Sequence, residues 1–313
     1  MLAVAESARS RVVAVARRIG SRAAGDLVAT CIDSFSDTAW PAIAWKFSGL
    51  AADGCPLQFE FSTNDDRLRF VTEVAPAEAE HHDRLGAAAD LIERLRIPVA
   101  PAQEIDFWKT LQWGRDLRWG AWLGVRHDGA AMQAKLYVEV PAELRDPSAA
   151  GLARPIVPSS RLMMAGYDCA SEAREYYFRQ PQMDSVESGA FLRFGGTHKR
   201  QAVLEAFAEI TALPLRAALD WIDFGYSLTC GPSMDERFSI FVDPRSLRSA
   251  ARIRRQFLRW EERAGRTASA YRHLAGAPAD ERLPNHGIVA VSADAAGAAQ
   301  LRVGLSAAAL AGL

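Results

Sequence analysis

Five segments of this chain place a cation at the head of an alternating run: Arg69-x-Val71-x-Glu73, Lys135-x-Tyr137-x-Glu139, Arg174-x-Tyr176-x-Phe178, Arg237-x-Ser239-x-Phe241 and Arg302-x-Gly304-x-Ser306. In an extended backbone, residues two apart share a face, so each cation sits in line with the residues that follow it. Arginine forks and a lysine point charge suit phosphate or diphosphate oxygens. The chemistry these types allow is therefore capture of a polyanion beside aromatic rings. It requires all five faces to meet in one place.

The elements that would bring them together are legible as hairpins. Leu57, Phe59 and Phe61 alternate with Gln58, Glu60 and Ser62, and Asn64-Asp65-Asp66 then turns the chain into the run 68–74. A second pair covers about 119–127 and 132–140 around Asp128-Gly129. A third covers about 161–168 and 173–180, and a fourth about 222–229 and 236–243 around Gly231-Pro232. The fifth covers about 287–292 and 299–305, turning through Asp294 to Gly297. Helical spacing is read over 4–33, 77–96, 198–219 and 245–265. The expected fold is α+β: a ten-stranded antiparallel barrel of five αββα repeats surrounded by helices, with a polar lumen, in one domain over 1–313. Closure removes both edge strands, which an open sheet of that width would leave exposed.

On most of the second strands the face opposite the cation is apolar, as with Leu136 and Val138 behind Lys135. The third differs: Glu175, Tyr177 and Arg179 could equally be its polar set. If helices cover the barrel, the apolar faces point outward and the cations inward. Unpaired cations in an enclosed space repel and cost several kcal/mol each to desolvate, so a bound anion is the economical partner. The competing reading is an open sheet whose charged face is simply wet.

Composition narrows the classes. With 37 Lys and Arg against 38 Asp and Glu, the chain has no global attraction for nucleic acid or an anionic membrane, and neither is expected as a partner. No apolar run reaches the ~20 residues of a membrane span, and arginines interrupt the Ala-rich start where a leader would be apolar. Cys31, Cys55, Cys169 and Cys230 show no paired spacing, as in a reducing compartment, and a cytoplasmic monomer is expected.

The hairpin count and order, the segment GCPLQFEFS leading to LRFVTEVAP, and AKLY in the fourth strand resemble the ABBA-fold aromatic prenyltransferases, the group of dimethylallyltryptophan synthases and smaller bacterial enzymes. The resemblance implies transfer of a prenyl group, dimethylallyl or geranyl, from its diphosphate to an aromatic small-molecule or peptide acceptor. It implies diphosphate binding by Arg69, Lys135, Arg174, Arg237 and Arg302, and carbocation shielding by Tyr137, Tyr176, Phe178 and Phe241. The family's acceptor-side glutamate falls on Gln58, with Glu60 on the same face as the carboxylate that could take the ring proton. Ser239 and Gly304 stand where the family often has tyrosine. Trp122, in phase with Arg126, is placed in the acceptor pocket. No cofactor is required; the chain has no DDxxD, and Mg2+ is left as an option. The alternative is a non-catalytic barrel that binds a phosphorylated or isoprenoid ligand.

Three other features have a plainer reading. The Arg248, Arg252, Arg255, Arg259 stripe is expected to be a solvated helix face, Leu192–Thr197 a turn and helix cap, and Trp108, Trp113 and Trp119 core.

Overall fold

The computed structural model describes residues 2–40, 43–129, 131–144, 147–231, 237–247, 249–266, 269–275, 286–294 and 296–312. The chain opens with α1 (Leu2–Ile19) and α2 (Arg22–Ser36). The single helix expected over 4–33 is broken at Gly20-Ser21, where the Ser21 hydroxyl accepts from the Ala24 N–H and starts a new helix. The first hairpin is β1 (Leu57–Ser62) and β2 (Leu68–Glu73), followed by α3 (Arg84–Arg94) and α4 (Ala102–Gln112). Then come β3 (Ala121–His127), β4 (Met132–Glu139), β5 (Arg161–Asp168) and β6 (Arg174–Gln180). Helices α5 (Ser185–Phe194), α6 (His198–Thr211) and α7 (Leu215–Trp221) lead to β7 (Phe224–Cys230) and β8 (Arg237–Val242). The last elements are α8 (Ala250–Arg263), α9 (Ala270–Leu274), β9 (His286–Ala293), β10 (Ala299–Ser306) and α10 (Ala307–Ala311).

All ten strands are antiparallel and close into one barrel, with β1 paired to both β2 and β10. The end at which each hairpin's first strand finishes and its second begins is here called the mouth. The helical connections leave from the other end, the floor. Helix α2 covers β2, α3 covers β3, α6 covers β8 and β9, and α8 covers β10. Under them the outward residues form a continuous apolar layer: Phe59, Phe70, Leu123, Leu136, Phe178, Tyr226, Ile240, Val291 and Val303 are all buried. Each such side chain contributes roughly 1.5–3 kcal/mol of burial, which is what forces the polar alternate residues inward.

Helix α8 is not a wholly solvated arginine face. Arg252 donates to the Ile210 carbonyl and Gln256 to the Glu209 carbonyl, capping the end of α6, while Trp260 and Arg263 hold the Glu209 carboxylate. Arg248 lies outside the described residues. The segment Leu192–Thr197 ends α5 and precedes α6, as a turn between helices.

Candidate active site

Cross-strand register fixes which residues share the lumen. Starting at β1, Glu60 stands opposite Gly304 of β10 and Arg69 of β2; Arg69 stands opposite Arg126 of β3, and Arg126 opposite Gln133 of β4. One step towards the floor, Gly124 pairs with Lys135, Gly166 with Glu175 and Glu175 with Thr229. Partners across an antiparallel pair point to the same side, so these residues ring one space. A cavity of about 320 Å³ at the mouth is lined by Arg69, Arg126, Lys135, Arg237 and Arg302, together with Glu60, Asp65, Asp168 and Glu175.

Four of the five expected cations are thus brought together, with Arg237 the most exposed of them, at the rim. Arg174 is not. Its Nε donates to Glu104 Oε1 at 3.0 Å and its Nη2 to Oε2 at 2.5 Å, on α4 outside the barrel, beneath the Phe107 ring. Tyr176 and Phe178 share that outward face, and Phe178 stacks on Tyr226 with centroids 4.9 Å apart. The inward set of β6 is Glu175 and Tyr177. The reason is register: Phe178 pairs with Tyr226 and Tyr177 with Ser227, so the bulky outward row of β7 continues through the even residues of β6. Sequence alternation alone could not decide, because β6 carries tyrosine and arginine on both faces. The neighbouring strand carries the signal, since only Gly225, Ser227 and Thr229 of β7 are small enough to line a lumen.

Arg126 is the cation that takes Arg174's place. Its Nη1 reaches Gln133 Oε1 at 3.5 Å, and its buried Nε has no partner. Among the described residues no carboxylate lies within ion-pair distance of it. Burial, then the fields of Arg69 and Arg302, push its guanidinium below the ordinary arginine range. Arg69 clasps Asp65 through both Nη atoms at 2.5 Å, yet its Nε and that of Arg302 are likewise buried and unpartnered.

Deeper in the barrel, Lys135 forms an ion pair with Glu175. Its ammonium lies 5.5 Å from the Tyr137 ring centroid and 5.4 Å from that of Tyr177. Burial works against the charge of both partners, but the pair outweighs it: Lys135 titrates above its ordinary range and Glu175 below its own. Tyr137, Tyr177 and Phe241 then form a row, with successive centroids 5.9 Å apart. Burial pushes both phenols up, Tyr177 well above the usual range with Glu175 adding to the effect, so both rings stay neutral.

Glycines make room for this row. A Cβ at Gly124 would come within 2.8 Å of the Tyr137 ring, one at Gly166 within 2.5 Å of Lys135 Cε, and one at Gly225 within 2.0 Å of the Phe241 ring. Gln58 is 3% exposed and lies across Gly304 and Gly287, where a Cβ would approach its carboxamide to 2.2 and 1.6 Å. Gly304 stands in the site to admit Gln58, whose Oε1 is buried without a partner.

Trp122 faces inward at the floor. One face of its ring is stacked on Trp119 at 3.9 Å, and its Nε1 donates to Glu73 at 2.9 Å. Of the other tryptophans, Trp108 is core and Trp113 is 80% exposed, contrary to the expectation of burial. The described residues include no cluster of His, Cys, Asp and Glu that could hold a metal, and no helix long and apolar enough to cross a membrane.

No protein-family model matches the sequence, and no curated protein does. Solved structures match over nearly the full chain. The 5-dimethylallyltryptophan synthase of Streptomyces coelicolor is 18% identical, with 98% of this chain and 97% of that one covered at a TM-score of 0.71. The 6-dimethylallyltryptophan synthase of Micromonospora olivasterospora, solved with DMASPP and Trp, is 16% identical over 98% and 97% at 0.72. The prenyltransferase PriB, solved with L-tryptophan and dimethylallyl thiolodiphosphate, is 13% identical over 98% and 96% at 0.75. The chain therefore has the helix-wrapped, ten-stranded barrel fold of the ABBA prenyltransferases.

Proposed function

We propose that this barrel transfers a prenyl group from a prenyl diphosphate to an electron-rich aromatic acceptor. The observation that carries the reading is a cavity in which under-partnered arginines at the mouth meet Tyr137, the first of a row of aromatic rings that continues through Tyr177 and Phe241. The donor's C–O bond breaks heterolytically and its electron pair leaves with the diphosphate. Preorganised cations meet that developing charge without reorganisation. The allylic cation faces Tyr137, Tyr177 and Phe241, each ring contributing about 0.5–2 kcal/mol. Because both phenols are held protonated, they shield the cation rather than capture it. The acceptor ring attacks the allylic carbon, forming the new bond, and loses its ring proton to a carboxylate.

We assign that step to Glu60, a reading supported by its position lining the cavity near Arg302. Gln58, two residues away, is an amide and cannot take up the proton, but its unpartnered carbonyl oxygen can accept from an N–H or O–H of the acceptor. Indoles, including tryptophan as bound in the structural neighbours, fit that requirement, as do phenols and aromatic peptide side chains. A non-catalytic isoprenoid binder is the second reading, favoured by an amide rather than an acid at position 58.

The test is incubation with dimethylallyl and geranyl diphosphates and a panel of indoles, phenols and peptides, followed by mass spectrometry and assay of released diphosphate. Donor binding without product across the panel favours the binder. Glu60→Gln is expected to slow product formation about a hundredfold or more without weakening donor affinity. A full rate would assign the proton to another group.

A further inference from the structure

The cations of the lumen are not equivalent, and their inequality divides the site. Lys135 is already satisfied by Glu175 and by two aromatic rings. Ser227 and Tyr177 flank the Glu175 carboxylate. Arg69, Arg126 and Arg302 each leave a buried Nε unpartnered around the same cavity. We propose that the anion subsite is the triangle of Arg69, Arg126 and Arg302, and that Glu175 is a resident counter-anion that withholds Lys135 from it. This rests on the function proposed above and assigns parts within it.

Arg126 is the pivot. A buried guanidinium between two others is unfavourable in the empty barrel, and an anion with several oxygens converts that repulsion into attraction. Arg69 has its ion pair with Asp65, and Arg302 has Glu60 and Glu175 nearby, whereas at Arg126 the nearby Asp168 does not offset burial and the fields of the other two arginines. The strongest unmet demand for negative charge is therefore at Arg126. Glu175 acts in the opposite sense. It places a carboxylate one level below the triangle, so phosphate oxygens are repelled from the aromatic row and the donor enters with its hydrocarbon leading. Glu175 is in this sense a positioning residue, acting through Lys135.

Inorganic diphosphate in an EDTA-containing buffer is the probe, titrated by calorimetry into the full chain and its variants. Arg126→Gln should weaken binding about tenfold to a hundredfold, the loss of charge-assisted bonds to one anion. Its thermal midpoint without ligand should equal or exceed that of the unmodified protein, since a repulsive charge has gone. Glu175→Gln should tighten binding about tenfold by releasing Lys135 and removing a like charge, an effect no general weakening of the fold would produce. In Lys135→Gln/Glu175→Gln the affinity should return to within about threefold of the unmodified protein. Diphosphate binding that survives Arg126→Gln, or that weakens in Glu175→Gln with the fold intact by circular dichroism, overturns this assignment and leaves the prenyltransferase reading standing. No diphosphate binding by the unmodified chain removes both.

Discussion

The two ends of the lumen contain buried charge of opposite character. At the floor, Glu73 accepts from Arg84 at 2.5 Å, from Ser48 at 2.5 Å and from Trp122 at 2.9 Å. Glu139 beside it takes the backbone N–H groups of Arg118, Trp119 and Gly120. Arg84 uses its other Nη on the Pro76 carbonyl, and Gln112 ties the Gly120 and Glu139 carbonyls together. At the mouth, Arg126 has one long contact to a neutral amide. The same strands carry both clusters. Arg84 Nε and Gln112 Oε1 are also buried without a partner, so the two ends differ in charge pairing. A cluster whose charges are satisfied closes the barrel, whereas one with an unpaired cation is held open by the rest of the fold and is available to a ligand.

The largest effect that would test this contrast comes from removing one arginine at each end. Arg84→Met leaves the Glu73 carboxylate buried without its ion-pair partner, and burial already raises that carboxyl above its usual range against the pull of Arg84. A loss of about 3–5 kcal/mol is expected in urea unfolding, with partial recovery in Arg84→Met/Glu73→Gln. Removing Arg126 should cost nothing in the same assay. Equal losses at the two positions would erase the distinction between floor and mouth.

The sequence carried most of the barrel. Each strand is found within two or three residues of its expected position, because alternation is sharp wherever one face must be apolar and the other polar. It also placed Gln58, Glu60, Arg69, Lys135, Tyr137, Phe241 and Arg302 on inward faces. Helices α4 and α5 were not legible: the tryptophans around α4 and the glycines at the end of α5 obscure their periodicity. The phase of β6 was the consequential ambiguity. Arg174, Tyr176 and Phe178 look like a binding face in isolation; the register with the bulky outward row of β7, together with the ion pair to Glu104 on α4, 70 positions away, sets that face outward. Arg126 and Glu175 were visible as residues, but their roles depend on what fails to pair with one and what does pair with the other. Neither fact is local in sequence.

A pH titration probes a third buried group, on the outer side of the floor. His286 shares a hydrogen bond of 2.8 Å with the Tyr271 hydroxyl, and its Nδ1 is buried without a partner. An imidazolium needs two acceptors, so burial pulls its pKa down to about 4 in the folded chain. The unfolded chain takes up this proton near pH 6.5. Stability from the neutral ring is therefore complete above that pH and is lost as pH falls from about 6.5 towards 4, by roughly 3 kcal/mol at most. His286→Gln should flatten that part of the pH–stability curve. An unchanged slope would show that other groups cause any acid weakening, and that an unpartnered buried nitrogen is tolerated away from the mouth.

The smallest effect concerns Trp122, whose position in the lumen fits either an acceptor contact or a piece of the floor. The geometry favours the floor, because Trp119 covers one ring face and Glu73 takes the indole N–H. Trp122→Phe keeps a ring for stacking and removes only the donor. If Trp122 belongs to the satisfied cluster, urea unfolding should show a loss of about 1.5 kcal/mol, one hydrogen bond to a charged group. Acceptor KM should then stay within about twofold, since the stacking surface is retained. A rise in acceptor KM with no change in stability would instead move Trp122 out of the floor and into the acceptor pocket. The boundary between the two ends of the lumen would then lie below Trp122, between its ring and the Glu73 carboxylate.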